Sequence, residues 1–256
     1  MKVTILGCGA SGGVPRIGGA DGRGDWENCD PAEPRNRRMR ASILVQQGGT
    51  TLLVDTSPDL RNQCLRFGVT RLDGVLYTHD HADHTHGVDD LRPLHNQKRG
   101  PTRLLADRGT LGSLKSRFAY AFAPEDESYR PFVAGQEIDG PFRVGEIDVV
   151  PFPQSHGNIT SLGFRFGPIA YSTDLVSLPD ESYRALSGVK VWIVDALRRE
   201  PHPTHANVAT ALAMIERAKP ERAILTHMTA TLDYRKLAVE LPAGIEPAYD
   251  GMVIEA

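Results

Sequence analysis

Short, mostly apolar blocks recur along the chain at 3–6, 42–45, 51–54, 75–77, 147–152, 169–171, 191–194 and 223–225, most of them followed by a polar residue. Runs this short predict strands, and Val75-Leu76-Tyr77, apolar throughout, predicts a buried one. Helical patterns fall between them. Residues 58–67 follow Ser57, a suitable cap, and carry proline in the first turn. In 206–218, Val208, Ala211, Leu212 and Ile215 recur at three- and four-residue spacing and share one face. Strands alternating with helices predict an α/β fold. The Pro- and Gly-rich stretch 12–34 has too few apolar residues for a regular element and predicts an ordered loop beside the first strand, over a site. No repeat, low-complexity segment or linker interrupts the pattern, so residues 1–256 are expected to form a single domain.

The polar ends of these blocks carry the chemistry. Val75-Leu76-Tyr77 runs straight into Thr78-His79-Asp80-His81-Ala82-Asp83-His84. A strand ending there delivers His79 and His81, two residues apart, to one face, while Asp83 and His84 approach from another direction as the chain turns. Four of the nine histidines (His79, His81, His84 and His86) fall within eight positions. Imidazole nitrogen and carboxylate oxygen at this density suit a borderline divalent ion, and two ions better than one. Other blocks also lead to such residues: Asp55 after 51–54, His156 after 147–152, Asp174 after 169–171 and His227 after 223–225. Buried histidine and aspartate are costly unless paired, which predicts His156, Asp174 and His227 as ligands, with Asp174 able to bridge two cations. His86 and His95 lack such support and are expected to be solvated or locally hydrogen-bonded.

Composition narrows the partners. Apolar residues make up 40%, charged residues 24% and aromatics 7%, with a net charge of −3. That balance disfavours a dedicated nucleic-acid binder but admits a small phosphate-bearing substrate, which needs only local positive charge. No apolar stretch reaches the length of a membrane span, and the N-terminus lacks a signal-peptide core, so cytoplasm is the expected location. Cys8, Cys29 and Cys64 do not suggest a disulfide framework. The run Arg35, Arg37, Arg38 and Arg40 is either a solvated face or a phosphate contact, with Arg37 and Arg38 as the candidates. His202 and His205 precede the second helix. A histidine there can donate to a phosphate oxygen where the helix dipole favours an anion; alternatively, Thr204 or Asn207 simply caps the helix. Gly7-x-Gly9-x-x-Gly12 matches a dinucleotide fingerprint, but no helical pattern follows it, so a tight turn near the site is expected instead.

His-x-His-x-Asp-His after a hydrophobic strand, followed in order by His156, Asp174 and His227, resembles the metallo-β-lactamase superfamily over nearly the whole chain. Gly7-Cys8-Gly9-Ala10-Ser11-Gly12-Gly13-Val14-Pro15 and Pro201-His202-Pro203-Thr204-His205 look like its phosphoribosyl 1,2-cyclic phosphate phosphodiesterase branch, to which tRNA 3′-processing nucleases are related. The resemblance implies a four-layer αββα sandwich with two divalent metal ions at one edge, zinc or manganese, with iron also compatible. His79, His81 and His156 would hold one ion, Asp83, His84 and His227 the other, with Asp174 between them. Asp55 would orient a histidine or the loop, Asp83 would also orient the nucleophile, and His205 would hold or protonate the phosphate, with His202 as a lesser candidate. The expected activity is hydrolysis of a phosphodiester, most simply a small cyclic phosphoribosyl or nucleoside phosphate. An RNA 3′-processing ribonuclease and a thioester or β-lactam hydrolase are the alternatives; a non-catalytic member would have lost ligands. The oligomeric state is open, a homodimer included. Some relatives hold a further structural zinc through clustered cysteines and a histidine; here the matching positions offer only Cys29 and Ala230, so that site is not expected.

Overall fold

The computed structural model describes residues 1–95, 100–123 and 130–256. Among them the strands are β1 (Lys2–Gly7), β2 (Ser42–Gln47), β3 (Thr50–Val54), β4 (Gly74–Leu76), β5 (Thr102–Ala106), β6 (Val133–Glu137), β7 (Phe142–Val144), β8 (Ile147–His156), β9 (Ile159–Phe166), β10 (Ile169–Ser172), β11 (Val191–Asp195), β12 (Arg222–Thr226), β13 (Ile245–Pro247) and β14 (Val253–Glu255). The helices are α1 (Leu60–Phe67), α2 (Ala82–Thr85), α3 (Arg92–His95), α4 (Arg108–Arg117), α5 (Ala119–Phe122), α6 (Asp180–Leu186), α7 (Val208–Ala218) and α8 (Tyr234–Glu240). All eight expected strands form, several extended by one to four residues. β8 reaches as far as His156.

Two seven-stranded sheets, ordered β14-β1-β2-β3-β4-β5-β6 and β13-β12-β11-β10-β9-β8-β7, pack face to face. In the first, β3 to β6 are parallel and the β14-β1-β2-β3 half is antiparallel. The second has the same division: β10 to β13 are parallel, β7 to β10 antiparallel. The continuous apolar runs explain the layering. Ile43, Val45, Leu52, Val54, Leu76 and Leu105 face the second sheet, while their neighbours Leu44, Leu53, Val75, Tyr77 and Leu104 face α1 and α4 on the other side. Trp192, Val194 and Ile224 continue the shared core, which also takes in Val208, Ala211 and Ile215 of α7. The result is a four-layer αββα sandwich. No helix of the described residues is long and apolar enough to cross a membrane.

The helix starts shift slightly from expectation. α1 begins at Leu60, because Ser57 Oγ accepts the Asp59 N–H and the Ser57 carbonyl accepts that of Leu60. Asn207 caps α7 by accepting the Thr210 N–H at 2.8 Å, and Met214 takes a buried place where Leu212 is only half-buried.

Gly7 is required by a close approach. A Cβ there would lie 2.1 Å from the Arg40 carbonyl oxygen and 2.7 Å from that of Met39. Both obstacles are backbone and cannot swing aside. Gly7→Ala is therefore expected to destabilise the fold by about 1–3 kcal/mol, as overpacked cores do. Urea unfolding at constant metal concentration measures it, and a midpoint equal to that of the unmodified chain would contradict the explanation.

Candidate metal centre

The site lies where the parallel strands end, the place where open α/β sheets bind ligands. Asp55 follows β3, His79 and His81 follow β4, Asp174 follows β10, Asp195 closes β11 and His227 follows β12. Asp83 and His84 sit on the single turn of α2, and His156 is the last residue of β8. The structure thus brings all seven expected ligands together.

Asp174 is the hub. Its Oδ2 lies 3.7 Å from His79 Nε2 and 3.7 Å from His156 Nε2. Its Oδ1 lies 3.2 Å from His84 Nε2 and 3.2 Å from His227 Nε2. His81 joins the first side, with Nδ1 3.3 Å from His156 Nε2. Asp83 joins the second, with Oδ2 3.4 Å from His84 and 3.8 Å from His227. One carboxylate therefore faces two groups of donors with its two oxygens, the groups being His79, His81, His156 and Asp83, His84, His227.

A second set of contacts fixes the rings. Asp55 Oδ2 lies 2.7 Å from His84 Nδ1 and also accepts the Thr78 hydroxyl, which in turn lies 3.0 Å from His79 Nδ1. The Thr204 carbonyl oxygen lies 2.7 Å from His156 Nδ1. With Nδ1 engaged outward in each case, Nε2 is the ring nitrogen turned toward Asp174. Between His79 and His81, Asp80 turns the other way, accepting from Ser113 at 2.6 Å and from Arg117 at 2.9 Å on α4.

The electrostatics point to cations. Burial lowers the pKa of His79, and neighbouring His84 lowers it further. Burial would do the same to His84, but Asp174, Asp55 and Asp83 raise it well above its ordinary value. His227 also resists burial and rises to about 9 beside Asp174, Asp83 and Asp195. Nε2 of His79, His84 and His227 is buried without a hydrogen-bond partner. Nitrogens left unpaired around a buried carboxylate are costly, and divalent ions with N and O preference satisfy them. The donor set fits such a metal.

Asp55, Asp174 and His227 share left-handed backbone, at φ 63°, 54° and 57°. This is uncommon outside glycine, and its clustering at three site residues marks a geometry that the surroundings enforce.

Asp195 is the residue that the sequence analysis passed over. Its Oδ2 accepts from His205 Nδ1 at 2.9 Å and from the Leu175 N–H at 3.2 Å, and its Oδ1 lies 3.8 Å from His227 Nδ1. It ends an apolar strand with a carboxylate, as Asp55 nearly does, so the same signal marked it. His205 lies face to face with His227, ring centres 4.9 Å apart, and its Nε2 is 3.8 Å from Asp174 Oδ2. His202 packs 5.1 Å from His205 and engages Thr204.

These groups open on a cleft of ≈ 420 Å³ whose walls include Ala10 to Gly13, so the glycine-rich turn does border the site. Its arginines are Arg16 and Arg198, not Arg37 and Arg38. Arg37 is exposed and lies over Trp26, 4.8 Å from the ring centre. Arg38 is 2% exposed and donates to the carbonyls of Thr229 and Leu232. Arg38 therefore has no guanidinium to offer a substrate, which corrects the expectation for it, and Arg37 does not line the cleft. His86 and His95 make local contacts, to Ala82 and Gly100 carbonyls. Cys29 and Ala230, the positions compared with the further zinc site of some relatives, pack with Val14 against Trp26.

Comparison with known proteins agrees with this geometry. Residues 50–228 match the model of the beta-lactamase superfamily domain. A crystal structure of a diphosphatase from the PhnP family is 36% identical, with a TM-score of 0.90 over 100% of this chain and 97% of that one. An octanoyltransferase of Porphyromonas gingivalis is 31% identical over 98% of this chain and 51% of its own length. A ribonuclease Z of Bradyrhizobium is 29% identical over 52% of this chain and 46% of its own length. The chain thus spans about half the length of the curated relatives it matches. With its fold, its ordered ligand set and this match, the chain belongs to the metallo-β-lactamase superfamily and resembles its PhnP-like branch.

Proposed function

We propose that the protein is a dinuclear metal-dependent phosphodiesterase acting on a small phosphate ester, a cyclic phosphate being the simplest substrate. The observation that carries this reading is His205. It stands beside the ligand cluster but outside the two donor groups around Asp174, is held by Asp195, and presents Nε2 to the cleft. A β-lactam or thioester hydrolase has no need of that extra imidazole. Similarity to a diphosphatase of the PhnP family supports phosphorus chemistry.

His79, His81 and His156 would hold one ion and Asp83, His84 and His227 the other, with Asp174 shared. Divalent ions there supply Lewis acidity, lowering the pKa of a water and neutralising charge on phosphoryl oxygens. The chain's own groups do the rest. Asp83, about 15% exposed, borders the cleft and can accept a hydrogen bond from the attacking water, aligning it with phosphorus. His205, with Nδ1 fixed by Asp195, directs Nε2–H at a phosphoryl oxygen or at the departing alkoxide. Arg198 hydrogen-bonds the Glu200 and Pro201 carbonyls and, among the described residues, forms no ion pair, so its charge is available to a phosphate. Arg16, by contrast, is paired with Asp25 and Glu27.

An RNA 3′-processing activity is the second reading, favoured by the ribonuclease Z similarity and opposed by the net charge of −3. The test is a panel of cyclic phosphates, diphosphate esters, linear diesters, a tRNA precursor, thioesters and β-lactams on one metal-loaded preparation. The expected result is a kcat/KM on small phosphate esters at least about a hundredfold above that on thioesters or β-lactams, abolished by chelation and restored by zinc or manganese. Efficient thioester or β-lactam turnover without diesterase activity would remove the reading.

A further inference from the structure

Arg38 is a buried cation without a carboxylate partner among the described residues. Nη1 donates to the Thr229 carbonyl at 3.0 Å, and Nη2 to the Leu232 carbonyl at 2.6 Å and to Asn36 Oδ1 at 3.4 Å. Both carbonyls belong to the turn that leaves β12 directly after His227. A buried guanidinium is costly, and an apolar side chain could fill the same space. What an apolar residue could not do is tie two carbonyls of that turn to a third segment.

The tie has a specific object. His227 is held in left-handed backbone at φ 57°, a conformation that persists only when neighbouring contacts impose it. The next residues supply those contacts. The Met228 N–H donates to the Cys8 carbonyl at 2.9 Å, the Met228 carbonyl accepts from Ala10 at 3.2 Å, and the Thr229 N–H donates to the Leu197 carbonyl at 3.0 Å. Arg38 completes the set, and its own backbone is fixed by a reciprocal pair of 2.9 Å hydrogen bonds with Val14 in the loop that borders the cleft. Asn36 extends the clamp: its Nδ2 donates to Asp233 at 2.7 Å and its Oδ1 accepts the Tyr234 N–H at 2.7 Å.

We propose that Arg38 is a positioning residue for His227, holding the ligand-bearing turn so that Nε2 meets Asp174 and Asp83. The inference rests on the metal reading above only in its second readout. The first is hydrogen exchange at the Met228 and Thr229 amides of metal-free protein. In Arg38→Met these two amides are expected to exchange at least about tenfold faster, while those of β3 keep their protection. Arg38→Lys, which can still reach one carbonyl, is expected to fall between.

The second readout is a zinc titration. Arg38→Met is expected to weaken one of two equivalents about ten- to hundredfold, the usual effect of losing a group that orients a ligand, and to leave the other unchanged. Val144→Ala, a core truncation in β7, supplies a control for general destabilisation. Unchanged exchange at Met228 and Thr229 in Arg38→Met, or equal acceleration in Val144→Ala, would overturn the proposal. A wild-type chain that takes up no zinc would overturn the metal reading instead, with the exchange result still deciding the role of Arg38.

Discussion

Asp174→Asn is expected to abolish hydrolysis, with a loss of about 10³-fold or more, and to reduce bound metal below two ions per chain. The two oxygens of Asp174 face different histidine pairs, and a carboxamide keeps the shape while losing the charge and one acceptor. Lewis-acid stabilisation of a transition state is worth several kcal/mol, and each 1.36 kcal/mol is tenfold in rate, which sets that magnitude. Asparagine is chosen over alanine because it tolerates the left-handed backbone at φ 54°. Metal analysis after reconstitution and single-turnover rates on a small diester measure the two effects together. Full metal content with a near-normal rate would mean that the two sides of the cluster do not depend on a shared carboxylate. Loss of rate with both ions retained would place Asp174 in the chemistry rather than in metal holding.

Much of this cluster was legible because chain order and spatial order coincide at strand ends. An apolar run buried on both faces has no polar exit except at its terminus, so a His or Asp there must be paired. That logic found Asp174 and His227 and located Asp55. Applied to the run that ends at Asp195, it would also have found the residue that holds His205, which was missed because only histidines and motif positions were followed. The arginine run could not be read in this way. Residues 37 and 38 lie on an extended segment, where successive side chains point to opposite sides. Arg37 therefore goes out to Trp26 and Arg38 goes in to Thr229 and Leu232. A run of like charges says nothing about which side is which. The cleft arginines, Arg16 and Arg198, lie in irregular segments with no periodicity to read.

The strands that escaped notice had weaker patterns. β9 alternates rather than running apolar, and it contains Gly163, where a Cβ would lie 2.3 Å from the Phe152 ring. A glycine demanded by tertiary packing looks from the sequence like a strand breaker. β7, β13 and β14 are three residues each, too short to stand out from loops.

His205 and Asp195 together should behave as a unit distinct from the ligands. His205→Ala is expected to retain full metal content and to lose about 10²–10⁴-fold in rate, the range for one general acid or one transition-state hydrogen bond. Substrates with different leaving groups then separate two roles. If Nε2–H protonates the departing alkoxide, the loss shrinks for nitrophenolate, which leaves without a proton. If it stabilises charge on the phosphoryl oxygens, the loss persists across leaving groups. Asp195→Asn removes the charge that fixes His205 Nδ1–H but leaves the imidazole in the cleft, so the loss should be smaller than for His205→Ala. Because Asp195 also lies 3.8 Å from His227 Nδ1, Asp195→Asn is expected to weaken metal binding where His205→Ala does not. That contrast is the sharpest outcome available: His205→Ala acting on rate alone, Asp195→Asn on rate and metal together. Metal loss in His205→Ala would make it a ligand rather than a phosphate-side group. His202→Ala should be milder than either, since its ring, although it lines the cleft, engages Thr204 and makes no contact with the Asp174 cluster comparable to that of His205.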